Sequence, residues 1–145
     1  MNIIEITKYS DEVLEVINDL LPQLSAYALP LSISDLTKII QSESSHLLMA
    51  KKEDDYCGTL TLVTFKIPTG TKAWIEDLVV NESCRGKGVG RLLIEHAIAL
   101  AKTLNANTID LTSNRSRTAA NILYEKMGFK HRKTNIYRYS HVKQL

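Results

Sequence analysis

Val79-Val80-Asn81-Glu82-Ser83-Cys84-Arg85-Gly86-Lys87-Gly88-Val89-Gly90-Arg91 carries the chain from an apolar extended run, through a cluster of glycines, into a helical pattern. Glycines at 86, 88 and 90 let the backbone approach a ligand closely. The unpaired N–H groups and positive dipole end of a helix start favour an anion. Arg85, Lys87 and Arg91 add cationic side chains to the same turn, which suits a pyrophosphate better than a lone carboxylate. The competing reading is an ordinary glycine-rich loop with solvated charges, since short glycine motifs recur by accident. Neither the nucleotide P-loop nor the dinucleotide fingerprint fits. No Gly-Lys-Ser/Thr follows a four-residue gap, and the turn lies mid-chain rather than after a first parallel strand.

Working upstream, residues 72–80 are rich in β-branched and aromatic side chains and read as a buried strand. Residues 46–51 and 56–66 read as a hairpin around Glu53-Asp54-Asp55, and Pro68-Thr69-Gly70 supplies a second turn, so three antiparallel strands are expected. Ser10 is a good N-cap for a helix carried by Val13, Leu14, Ile17, Leu20, Leu21 and Leu24, with Pro22 near its end. After Pro30, Ser34 opens a second short helix with Leu36, Ile39 and Ile40, and residues 27–32 between the two read as a substrate-side loop.

Downstream of the glycines, Leu92, Leu93, His96, Ala97, Leu100, Ala101 and Leu104 mark a long helix on which His96 reads as a packed or capping residue. Residues 108–112 follow as a strand, completing a βαβ unit. A helix over 117–127 stops at Gly128, suited to the left-handed C-terminal position, before two final strands at 129–132 and 135–139. The expected fold class is α/β (α+β), a mixed, mostly antiparallel sheet flanked by helices, in one domain over residues 1–145.

The bulk properties narrow the function classes. The 145 residues are 44% hydrophobic and 23% charged with a net charge of +2, an ordinary globular composition without the basic excess of a nucleic-acid binder. No apolar run approaches the ~20 residues of a membrane helix, and the start Met1-Asn2-Ile3-Ile4-Glu5 lacks a signal-peptide pattern, so a cytoplasmic protein is expected. Cys57 and Cys84, without a CxxC spacing, read as free thiols, Cys84 as a small apolar loop residue. His46, His96, His131 and His141 are scattered, and no metal site is expected.

Arg85-Gly86-Lys87-Gly88-Val89-Gly90 resembles the Arg/Gln-x-x-Gly-x-Gly/Ala signature of the GNAT (GCN5-related) N-acetyltransferases. Ala120-Asn121-Ile122-Leu123-Tyr124-Glu125-Lys126-Met127-Gly128-Phe129 resembles the family's closing Ala-x-x-x-Tyr-x-x-x-Gly-Phe. The element order resembles the GNAT acyl-CoA N-acyltransferase fold over nearly the whole chain. The resemblance implies acetyl-CoA as cosubstrate, with the pyrophosphate on Arg85, Gly86, Lys87, Gly88, Val89, Gly90 and Arg91. It also implies a V-shaped opening between strands 74–80 and 108–112, where the backbone of Leu78, Val79 and Val80 bonds the pantetheine arm. One N–H there polarises the thioester carbonyl, and Asn121 touches the arm. Arg117 stands where many relatives place Asn.

Direct transfer needs a neutral amine and a proton for the departing thiolate. Tyr124 matches the family's general acid; a core tyrosine is the alternative. In Trp74-Ile75-Glu76-Asp77-Leu78-Val79-Val80 strand alternation sends the two carboxylates to opposite faces, so only one can face the cleft, and burial there would mark it as functional. The position of Glu76 resembles that of a proposed base in polyamine-type GNAT enzymes, working directly or through water, with Asp77 behind it and a structural salt bridge as the alternative. Residues 112–117 resemble those of aminoalkylphosphonate and some aminoglycoside acetyltransferases, and Arg115 and Arg117 read either as anion holders or as solvated charges. The reading is therefore transfer of an acetyl group to a small-molecule amine. A protein or peptide acceptor and a non-catalytic acyl-CoA sensor are the alternatives. A homodimer through the edge of the 136–139 strand is a further expectation.

Overall fold

The structure, a computed structural model, describes residues 1–141. Its elements run β1 (Asn2–Glu5), α1 (Asp11–Leu24), α2 (Ile33–Gln41), β2 (Ser45–Lys52), β3 (Asp55–Ile67), β4 (Gly70–Val80), a 3-10 turn (Glu82–Cys84), α3 (Val89–Thr103), β5 (Thr108–Asp110) and α4 (Thr118–Lys126). The chain divides into two compact units, Met1–Thr112 and the segment from Ser113 on.

In the first unit the five strands lie in sequence order in one sheet, antiparallel except for the parallel β4–β5 pair. This is the mixed, mostly antiparallel α/β architecture expected. Register assigns the faces. Leu47 and Met49 of β2 stand opposite Thr61 and Thr59 of β3 and share a core with Ile6, Val13, Ile17 and Leu36, so α1 and α2 cover that face. On the other face, α3 lies close to Gly58 of β3, where an added Cβ would meet Leu93 Cδ1 at 3.4 Å. The stripe that α3 buries is Val89, Leu93, Ile94, Ala97 and Ala101. His96 falls outside it and is exposed, not packed, because the buried arc passes through 93, 94 and 97.

Local chemistry explains the helix starts. The Ser10 hydroxyl accepts from Val13 N–H at 3.2 Å, as expected. At α2 the cap is Ser32, which accepts from Asp35 N–H at 3.1 Å, so the helix opens two residues before Ser34. Pro22 is accommodated in the last turn of α1.

The largest departure is at the C-terminal end. Residues 129–132 and 135–139 form no strand in the described structure. Local β-propensity makes a strand only where a neighbour supplies a hydrogen-bonding edge, and the sheet recruits none of these residues. Ile136, Tyr137 and Tyr139 are instead exposed.

Gly58 also permits the close approach of β3 and β4, since an added Cβ would lie 2.8 Å from Val79 O and so against backbone that cannot swing away. Gly58→Ala is expected to lower stability by about 1–3 kcal/mol, read by urea unfolding; an unchanged midpoint would show that β4 shifts freely there.

Candidate functional site

The site begins where β4 and β5 part. They pair as Lys72 with Thr108, Ala73 with Ile109 and Trp74 with Asp110, after which β5 ends while β4 continues to Val80. Among the described residues no strand pairs with that edge of β4 from Ile75 onward. The pairing thus stops at the two strands between which an opening is expected.

Within that free stretch β4 is bulged. Thr61 pairs with Glu76 but Thr59 with Val79, so β4 spends three steps where β3 spends two, and Asp77 takes the left-handed φ of 51°. The extra residue resets the side-chain phase: Glu76 shares a face with Thr61, Thr59 and Val79, the face that α1 and α2 cover, instead of with Leu78 and Val80. Glu76 and Asp77 are both exposed, while Leu78 and Val79 are buried. The alternation expected of a regular strand therefore fails at this pair, and neither carboxylate is sequestered. An Asp inside an apolar strand was itself a signal of the bulge, because Asp is poor in strands and tolerates positive φ.

After β4 the chain makes a tightly bonded turn. Asn81 N–H donates to Cys57 O at 2.8 Å and Cys84 N–H to Asn81 O at 2.8 Å, and the Asn81 side chain accepts from Ser83 N–H at 3.2 Å. The side chain of Gln23, near the end of α1, accepts from Glu82 N–H at 3.0 Å, tying that helix to the turn. Arg85 Nε donates to Val80 O at 3.0 Å and Lys87 Nζ to Ser83 O at 3.2 Å, so both cations brace the loop. Arg91 pairs with Glu95 at 2.9 Å in solvent.

Gly86 and Gly88 adopt φ of 75° and 80°, and an added Cβ at either would meet nothing within 4 Å. Gly88 caps α3 without any side-chain bond, and Leu92 N–H is the first to reach a helical acceptor, Gly88 O at 3.1 Å. The N–H groups of Val89, Gly90 and Arg91 thus emerge at the helix end beside open space. Among the described residues no group of three or more His, Cys, Asp or Glu could hold a metal ion, and no helix is long and apolar enough to cross a membrane.

Two groupings escaped the sequence reading. Asn18 holds the link between α1 and α2 from both sides, its amide donating to Leu31 O at 3.1 Å and accepting from Leu31 N–H at 2.7 Å. Cys57 and Cys84 meet, with 2.8 Å between sulfurs. No sequence pattern announces either, because each joins segments brought together only by folding.

In the second unit, the Asn121 side chain donates to Asn114 O at 3.1 Å, closing the loop ahead of α4. Tyr124 is buried, with its ring edge-on to Phe129 at 6.2 Å between centroids. Phe129 N–H returns to Tyr124 O at 3.0 Å around Gly128, whose φ of 95° is the left-handed helix stop expected. Arg115 and Arg117 are exposed. Burial raises the Tyr124 phenol above its ordinary 10.0, with Arg117 pulling weakly the other way. The neutral phenol is favoured in the native state, so its contribution to stability is complete below the unfolded value and is lost as pH rises through the folded one. Spectrophotometric titration should therefore show a tyrosine ionising late, beyond about pH 10, that is missing from Tyr124→Phe; identical curves would refute the assignment.

The acetyltransferase (GNAT) family model matches residues 13–129. The chain is 35% identical over 99 residues, 65% of its length and 68% of the relative's, to the uncharacterized N-acetyltransferase YhdJ of Bacillus subtilis (strain 168). It is 38% identical over 68 residues to the peptidyl-lysine N-acetyltransferase YjaB of Salmonella typhimurium, covering 47% of this chain and 42% of that one. A solved structure of the aminoglycoside N-acetyltransferase AAC(6')-Iy with a bisubstrate analogue superposes with a TM-score of 0.80 at 16% identity, over 97% of this chain and 98% of that one. With a glycine turn that ends on an uncapped helix, a sheet that opens beside it, and a family match covering most of its length, this chain belongs to the GNAT family of N-acetyltransferases, enzymes that use acetyl-CoA.

Proposed function

We propose that this chain, as a single catalytic domain over residues 1–145, transfers an acetyl group from acetyl-CoA directly to the primary amine of a small molecule. The observation that carries the reading is that β4 runs on to Val80 past its last pair with β5 at Trp74 and leads, through the glycine turn, to an α3 start that no side chain caps. An extended thiol arm needs a strand edge with unspent N–H and C=O groups, and a diphosphate needs clustered N–H donors. The residues present fit such a ligand: the positive φ values of Gly86 and Gly88 disfavour any side chain, and the space a Cβ would enter is open.

When bound, acetyl-CoA supplies a thioester whose carbonyl carbon is open to an amine. In this reading the loop of Arg85, Gly86, Lys87, Gly88, Val89, Gly90 and Arg91 holds the diphosphate. The edge of Leu78, Val79 and Val80 holds the arm and donates one N–H to the developing oxyanion, and Asn121 steadies the arm. Glu76, exposed and therefore reachable by solvent, takes the proton of the incoming ammonium through water, with Asp77 as the second candidate. Tyr124 gives a proton to the thiolate; burial, by keeping the phenol protonated, supports that role.

The small-molecule acceptor is supported by the aminoglycoside enzyme among the structural neighbours. A second reading, a lysine side chain of a peptide, is supported by the name of the Salmonella relative. We further propose a cytoplasmic homodimer. Its pairing surface is the exposed Ile136, Tyr137 and Tyr139 instead of the edge strand expected there.

CoA thiol release with polyamines, aminoalkylphosphonates, aminoglycosides and lysine peptides tests the proposal. Glu76→Gln and Tyr124→Phe should each cost about 10²-fold or more in kcat/KM with acetyl-CoA binding retained, whereas Gly88→Val should weaken acetyl-CoA binding about tenfold or more. Turnover on lysine peptides alone would favour the second reading. Acetyl-CoA binding without turnover on any amine would leave a sensor, and no binding at all would overturn the assignment.

A further inference from the structure

Cys57 and Cys84 come together where β3 begins and where the turn after β4 ends. Cys57 is the extra residue of a second bulge, since Ala50 pairs with Gly58 but Lys51 with Tyr56. A bulge re-aims its side chain, and the thiol of Cys57 accepts from the Cys84 thiol across 2.8 Å. Both ends are already fastened, by Asn81 N–H on Cys57 O and by Cys84 N–H on Asn81 O, each 2.8 Å. Cys57 is 4% exposed, while Cys84 is only partly covered. Such a contact is short for two non-bonded sulfurs and lies within about 1 Å of the disulfide bond length of about 2.05 Å.

We propose that Cys84 and Cys57 form a reversible redox pair in which a hydroperoxide oxidises Cys84 and Cys57 resolves it to an intramolecular disulfide. In the first step the Cys84 sulfur attacks the distal peroxide oxygen. The O–O bond breaks, Cys84 becomes a sulfenic acid, and the peroxide leaves as the alcohol, or as water from hydrogen peroxide. In the second, the Cys57 sulfur displaces the sulfenic hydroxyl, the S–S bond forms, and the Cys57 proton leaves with that hydroxyl as water. Two thiols are oxidised by two electrons in total, and one peroxide is reduced; a dithiol reductant reverses the bond by exchange. The order of attack follows from access. Burial pushes the Cys57 thiol up to about 11, which keeps it protonated and unreactive until its neighbour is oxidised. The crosslink ties the turn at residues 81–85 to β3, and resolution spares Cys84 from irreversible oxidation. Nothing in this depends on acetyl transfer.

The test treats the full chain with hydrogen peroxide, blocks remaining thiols under denaturing conditions, and maps peptides by mass spectrometry. A peptide linking Cys57 to Cys84, lighter by two hydrogens and released by dithiothreitol, is expected, together with a Tm higher by about 5 °C in the oxidised protein. In Cys57→Ser, Cys84 should be trapped by dimedone and proceed to the sulfinic acid; in Cys84→Ser, Cys57 should remain unoxidised. Wild-type thiols both still open to alkylation, disulfides only between chains, or Cys57 oxidising as fast without Cys84 as with it would each overturn the proposal. The wild-type arm needs no variant to fold.

Discussion

Three registered pairs join β5 to β4, and the arrangement of the site depends on that pairing stopping at Trp74. Had β5 continued, the N–H and C=O groups of β4 from Ile75 on would be spent in the sheet. Because it ends, β4 runs on from Ile75 to Val80 without β5 beside it. The bulge at Asp77 adds to this. It twists β4 away and inverts the side-chain phase, so that Glu76 moves to the face of α1 and α2 while Leu78 and Val79 stay buried.

The same strand delivers the chain into the glycine turn, and the turn is stiffer than its composition suggests. Asn81, Gln23, Arg85 and Lys87 each satisfy a backbone group of the connection. The two lead cations of the motif therefore act first as braces. The helix end itself carries no side-chain cap, and Gly86 and Gly88 leave the space before it clear. Specific polar bonds from α1 fasten two connections, Asn18 the link to α2 at Leu31 and Gln23 the turn at Glu82.

Much of this was legible beforehand, and the misses share a cause. The N-cap at Ser10, the helix beginning after Gly88, the hairpins and the stop at Gly128 rest on interactions among residues a few positions apart. The cap of α2 moved only from Ser34 to Ser32, a choice between two nearby hydroxyls. The expected strands beyond Gly128 depended on pairing with a partner edge, and none of these residues pairs with the sheet. His96 was misjudged because a list of apolar positions does not say which arc of α3 turns inward. The carboxylates were misjudged because strand alternation holds only until a bulge interrupts it.

By itself the sequence determined the helix starts and stops, the turn that favours an anion, and the two motifs that carry family membership, since each is written in neighbouring residues. Tertiary structure alone decided where β5 leaves β4, which face receives Glu76, and that Cys57 meets Cys84. Those outcomes depend on register between distant segments, and a shift of one residue in register reverses every side chain that follows.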